Sequence, residues 1–208
     1  MWISMTTNTE QPYPSAYRLI DQSTAALGFT MASDVQTCSL LRTLASTKPS
    51  GKFLELGTGT GLSTSWILDG MDTSSTLISI DNESSYLSIA ENHLANDNRL
   101  SLVHGDGGDW ISDNRHLKFD YIFADTWHGK YLLLDETLSM LKEGAFYIVD
   151  DMVPQANWPA GHEDKVAKFI QELEKKEDLI ITKQNWASGI IIAVKKSPKL
   201  NEQLITNN

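Results

Sequence analysis

Five short apolar runs, spaced by stretches of helical periodicity, narrow the architectures open to this chain. They are residues 52–57 (KFLELG), 76–81 (TLISID), 100–104 (LSLVH), 119–125 (FDYIFAD) and 145–150 (AFYIVD). Runs this short and this continuously apolar suit strands covered on both faces, as in a parallel sheet. The intervening stretches repeat at helical spacing. Residues 83–95 bring Tyr86, Ala90, His93 and Leu94 to one side, and residues 163–175 do so with Val166, Ile170 and Leu173. Residues 131–142 align Leu134, Leu138 and Leu141, with Gly144 where a helix C-cap belongs. Ahead of the first strand, Pro14–Leu27 and Ser33–Leu44 read as two helices, the second capped by Ser33. Residues 179–196 differ: two apolar strands flank a turn at Ser188–Gly189, the pattern of an antiparallel hairpin. The expectation is an α/β fold with a mostly parallel seven-stranded sheet, a C-terminal antiparallel hairpin and helices on both faces. It forms a single domain over residues 14–198, with the N-terminal helices in 14–50. Residues 1–13 are expected to be a flexible arm and 199–208 a loosely held tail. A chain of 208 residues is long enough to bury such a core.

In a sheet of this kind, ligands bind at the carboxyl ends of the strands. The first strand ends in Glu55 and runs into Gly57, Gly59 and Gly61, followed by a helix-compatible stretch. Glycines there permit positive backbone angles and let a ligand approach the main chain. A dinucleotide fingerprint would read GxGxxG. The spacing here is GxGxG, and the acid beside it repels a pyrophosphate but pairs with an amine. That combination suits S-adenosylmethionine, which carries an α-amino group and a sulfonium.

The other strand ends are also acidic. Asp81, followed by Asn82, is placed to accept from ribose hydroxyls, and Asp106 to accept from an adenine amino group. Plainer roles compete: a helix cap for Asp81, a turn for Asp106, the start of a loop for Asp150 and Asp151. Asp125, Asp150 and Asp151 end two neighbouring strands, and three crowded carboxylates repel unless a cation lies between them. Magnesium or another divalent ion fits oxygen ligands of this kind and would orient a substrate hydroxyl. His128 and Lys130, shortly after Asp125, are both candidates for the general base. The loop after the fifth strand holds Met152, Pro154, Trp158 and His162. With Trp186 it is expected to cover a flat or apolar acceptor.

Residues 31–195 resemble the catechol O-methyltransferase-like class I methyltransferases, through ELGTGTGLS, ADTWHGKY and VDDM. The resemblance implies a Rossmann-like methyltransferase fold and an S-adenosylmethionine-dependent O-methyltransferase, often with a divalent metal. It assigns Glu55 and Ser63 to the methionine end, Asp81 to the ribose, and Gly105 and Asp106 to the adenine pocket. Asp125 goes to the metal, Trp127 to the adenine wall, and His128 to the position of a catalytic lysine. Asp150 and Asp151 fall on an Asp-Asn metal pair, with Asp151 in place of the family's asparagine.

A net charge of −10 argues against nucleic acid or an anionic membrane as the main partner. ADTW also stands where methyltransferases acting on nucleic-acid amino groups carry an NPPY-like turn. The single cysteine, Cys38, excludes an internal disulfide and fits a reducing, cytoplasmic setting. The expected partner is a small-molecule acceptor, with a homodimer possible. The alternatives are a metal-independent methyltransferase acting on another small molecule or on nitrogen, and a non-catalytic S-adenosylmethionine-binding protein.

Overall fold

The structure, a computed structural model, describes residues 12–155 and 158–197. Most of the expected arm, two residues of the long loop, and the whole 199–208 tail lie outside the described residues. Seven strands form one sheet: β1 (Lys52–Leu56), β2 (Thr76–Asp81), β3 (Leu100–His104), β4 (Phe119–Ala124), β5 (Leu141–Val149), β6 (Leu179–Gln184) and β7 (Ile190–Lys195). Their order is β3-β2-β1-β4-β5-β7-β6. The first five run parallel, and β7 is antiparallel to both β5 and β6. The mostly parallel sheet with its antiparallel hairpin is as the sequence predicts.

Alternation along the strands sends side chains to two faces, and each face is roofed by helices. Phe53, Tyr121, Phe123 and Ile148 pack with Ile20 of α1 (Tyr17–Leu27), Leu41 of α2 (Val35–Ala45), Ile67 of α3 (Leu62–Gly70) and Leu94 of α4 (Ser84–Leu94). Leu54, Leu56, Ile122 and Val149 face the other way. They meet Ile111 of α5 (Gly107–Asn114), Leu138 of α6 (Leu134–Ser139) and Phe169 of α7 (His162–Glu174). No helix among the described residues is long and apolar enough to cross a membrane.

Several local expectations are corrected. The helix expected over 131–142 spans only Leu134–Ser139. Residues 127–132 close a tight turn instead, in which Tyr131 N–H donates to the Trp127 carbonyl and Gly129 N–H to the Leu132 carbonyl. Leu133 then has a left-handed φ of 58°. Gly144 caps no helix: it lies inside β5 at φ 72°, where two steps along β4 (Phe119 to Tyr121) are matched by five along β5 (Leu141 to Phe146). This bulge absorbs three extra residues. The α2 cap is Asp34, whose carboxylate accepts from Gln36 N–H and Thr37 N–H, and not Ser33. Helix α5 was not expected as a helix. Pro12 and Tyr13, counted with the arm, are docked: Arg42 donates to the Pro12 carbonyl, and Tyr13 stacks on Tyr17 at 4.7 Å.

Candidate active site

A cavity of about 770 Å³ opens at the carboxyl ends of the strands, where β1 and β4 lie side by side and the strand order reverses. Its size suits a cofactor and a small second ligand. Gly57, Gly59 and Ser63 form one side, with Asp81, Asn82, Gly105 and Asp106 next to them. Asp125, Trp127, His128, Lys130, Asp150 and Asp151 form the other. The topology therefore gathers nearly all the candidate residues.

The glycine loop follows from sheet geometry. Gly57 N–H and Thr58 N–H both donate to the Ile80 carbonyl, turning the chain sharply as it leaves β1. Gly57 sits at φ 104°, and a Cβ there would lie 2.6 Å from Thr126 Cγ2. Gly61 heads α3 but lies outside the cavity wall. A Cβ there would lie 2.9 Å from the Ala90 side chain, so this glycine serves the packing of α3 on α4.

Glu55 is also outside the wall. It is fully buried, and its carboxylate accepts from the hydroxyls of Ser63 (2.6 Å), Thr64 (2.6 Å) and Ser79 (2.5 Å). Burial pushes its pKa up to about 7 against the pull of those three hydrogen bonds. The expected direct contact with a ligand amine is therefore corrected: Glu55 ties the start of α3 to β1 and β2 from behind. Asp81 does reach the cavity. One oxygen accepts from Gly59 N–H at 2.8 Å and the other from Glu83 N–H at 2.9 Å, so it shapes the loop as well as facing a ligand.

Asp106 is the N-cap of α5, accepting from Gly108 N–H and Asp109 N–H. The His128 ring lies against Gly107 and Gly108, with Nδ1 3.7 Å from the Asp106 carboxylate. His128 thus belongs to the α5 end of the cavity. Trp127, expected at an adenine wall, instead groups with Tyr131 and His162, at centroid distances of 5.7 and 6.1 Å. Trp158 stands 4.6 Å from His162 and completes this aromatic wall. Trp186 does not line the cavity; its neighbours Ala187 and Ser188 do.

Asp125 Oδ1 is shut off from solvent with no partner among the described residues, and Oδ2 accepts from Ser33 at 3.2 Å. Burial and the neighbouring Asp150 raise the pKa of Asp125 well above the usual carboxylate range. Asp150 accepts from the Ser188 hydroxyl and from Asp151 N–H, and burial pushes its pKa up to about 6. Lys130, only 4% exposed, lines the same space. Among the described residues, no three His, Cys, Asp or Glu side chains are grouped to hold a metal ion. Asp125, Asp150 and Asp151, the three carboxylates expected to hold a metal, line this space together with the buried lysine.

The sequence reading missed the segment between α1 and α2. Phe29, Met31 and Ser33 line the cavity, and Phe29 packs on Tyr86 of α4 at 4.5 Å. The only sequence signal was a short non-helical stretch, FTMAS, between two helices. Tyr131, Gln155 and Ser188 were also unforeseen.

The family model for a methyltransferase domain matches residues 54–152. The fold is the Rossmann-like one of the methyltransferase structures that superpose on it. An O-methyltransferase from Bacillus cereus, solved with S-adenosylhomocysteine, superposes with a TM-score of 0.79 at 19% identity, covering 90% of this chain and 94% of that one. TomG, an O-methyltransferase of tomaymycin synthesis from Streptomyces achromogenes solved with S-adenosylmethionine, gives 0.75 at 20% identity, covering 93% of each chain. The S-adenosylhomocysteine-bound methyltransferase PaMTH1 of Podospora anserina gives 0.72 at 17% identity, covering 90% of each. At these identities the likeness is one of fold. None of the curated proteins matches the sequence.

Proposed function

We propose that the protein transfers the methyl group of S-adenosylmethionine to a hydroxyl oxygen of a small acceptor with a flat aromatic part. The observation that carries this reading is the continuity of one cavity, from the glycine loop and Asp81 to the aromatic wall of Trp127, Tyr131 and Trp158. The donor's ribose meets Asp81 and Asn82, its adenine the Gly105–Asp106 and His128 end, and its methionine the Ser63 end. Asp125 Oδ1, unpartnered among the described residues, is the acceptor oxygen available to its amino group.

The transfer is a direct displacement, so orientation and proton removal are what the protein supplies. A lone pair of the acceptor oxygen forms the new C–O bond as the methyl–sulfur bond breaks. The bonding pair stays on sulfur, leaving the neutral thioether S-adenosylhomocysteine, and the hydroxyl proton passes to His162. Burial lowers the His162 pKa, so the imidazole is neutral at pH 7. Its Nε2 lies 3.3 Å from the Tyr131 hydroxyl, and its buried Nδ1 has no partner among the described residues.

Calorimetric titration with S-adenosylhomocysteine is expected to give a Kd on the order of micromolar, the scale of ordinary enzyme ligands. Transfer of labelled methyl to a panel of phenols and catechols is expected with at least one of them. Absence of S-adenosylhomocysteine binding would remove the methyltransferase reading; binding without transfer to any acceptor would favour a non-catalytic role. Replacing His162 with Gln is expected to lower kcat roughly a hundredfold or more with little change in acceptor KM. In the parent protein, activity should rise with pH through a pKa below the usual histidine value, as the imidazole loses its proton. Survival of that acid limb in H162Q would assign the base elsewhere.

A further inference from the structure

We propose that Lys130 is the built-in cation of the acidic end of this cavity, filling the charge role for which the sequence pattern calls for a divalent ion, so that transfer proceeds without a metal. The inference rests on the methyl-transfer reading above. Ala124 and Val149 are partners in the β4–β5 register, so Asp125 and Asp150 leave adjacent parallel strands side by side. Asp151 follows at once, in a left-handed conformation at φ 61°. Positive charge beside such a set stabilises it.

Lys130 is placed to supply that charge. Its side chain is almost wholly buried, yet among the described residues it has no hydrogen bond and no ion pair within 4.0 Å. Its Nζ stands 5.5 Å from the centroid of the Tyr131 ring. An ammonium buried without a partner is costly, and it becomes tolerable when it faces fixed anions and a polar ligand. The main chain holding it is firmly set. The Tyr147 hydroxyl donates to the Gly129 carbonyl at 2.5 Å, and a Cβ at Gly129 would lie 2.3 Å from Leu56 Cδ1. The turn therefore has little freedom to swing Lys130 away.

An ammonium differs from a divalent ion in what it offers. It donates hydrogen bonds to the acceptor oxygen and steadies negative charge there as the proton leaves for His162, but it binds no water as a ligand. It also repels a second cation from the space between the acids.

Titration of the full-length protein with MnCl2, followed by electron paramagnetic resonance, tests the assignment independently of turnover. No binding is expected in the parent protein up to about 1 mM, the weak end of protein sites for hard cations. In Lys130→Met, and in Lys130→Gln as a second variant, Mn²⁺ binding is expected to tighten roughly tenfold or more, because the acids lose their internal counter-charge. Binding by the parent at low micromolar Mn²⁺, abolished by Asp125→Asn, would overturn the proposal. So would a silent parent with two folded variants that remain silent. S-adenosylhomocysteine affinity, measured on the same samples, reports separately on the methyltransferase reading: its loss in the parent sinks that reading whatever Mn²⁺ does.

Discussion

Replacing Glu55 with Ala is expected to destabilise the protein by about 3–5 kcal/mol, the range for breaking a buried polar network. Three hydroxyls, those of Ser63, Thr64 and Ser79, converge on this fully buried carboxylate. Ser79 keeps one partner in Thr58 Oγ1, at 2.6 Å, which limits the damage on the β2 side. Glu55→Gln separates packing from charge. The folded pKa of about 7 lies above the ordinary glutamate value of 4.5, so the folded state holds this proton more tightly than the unfolded chain. The corresponding stability is fully present below about pH 4.5 and is lost as pH rises through 7. Glu55 alone accounts for a decline of up to about 3 kcal/mol between pH 5 and pH 8. Asp125 and Asp150 are shifted in the same direction, so the decline in the parent is a sum, and the difference between parent and E55Q isolates Glu55. Urea unfolding of ligand-free protein at the two pH values measures it. Equal slopes in parent and variant would mean that Glu55 does not titrate in this window.

The second large effect belongs to Gly57. In Gly57→Val the side chain must enter at φ 104°, a region branched residues avoid, and its Cβ would collide with Thr126 and crowd the Asp125 carbonyl. Relief requires the β1 and β4 ends to part, which moves the glycine loop and Asp125 together. S-adenosylhomocysteine affinity is expected to fall roughly a hundredfold or more, about 3 kcal/mol in binding free energy. Calorimetry on a variant that still melts cooperatively checks this; unchanged affinity would mean that the ligand does not sit on this turn. Gly61→Ala offers a contrast. Its clash is with Ala90, behind the loop, so its cost appears in stability before it appears in affinity.

The sheet was legible because buried parallel strands leave a one-dimensional trace, continuous apolar runs ending in acids and glycines. The hairpin was legible from Ser188–Gly189 between two β-branched runs. What failed was what depends on neighbours distant in sequence. Helical spacing at 131–142 was real, but Gly129 and Leu133 take left-handed angles, Met140 caps the helix and Leu141 begins β5, so only the middle stayed helical. The site was legible by position and less so by role. Strand ends named Asp81, Asp125 and Asp150 correctly as cavity residues. Spacing says nothing about which way a side chain points, so Glu55 was taken for a ligand contact when its strand phase turns it towards Ser79 and α3. His128 and Lys130, two residues apart, face different ends of one cavity because a left-handed Gly129 stands between them.

The order β3-β2-β1-β4-β5-β7-β6 has a further consequence. On the proposed reading, chain before Gly107, with His128, builds the donor side of the cavity, and chain after Asp125 builds most of the acceptor side. The two meet along the β1–β4 seam, where Ser33 also reaches Asp125 and His128 reaches Asp106. Trp158, His162 and Ser188 also lie beyond the segment that matches the methyltransferase domain. On the reading proposed above, the molecule is a fixed handle with an interchangeable jaw: exchanging Gln155, Trp158 and Pro159 while keeping His162 and Ser188 is expected to change which acceptor fits and to leave the donor side as it stands.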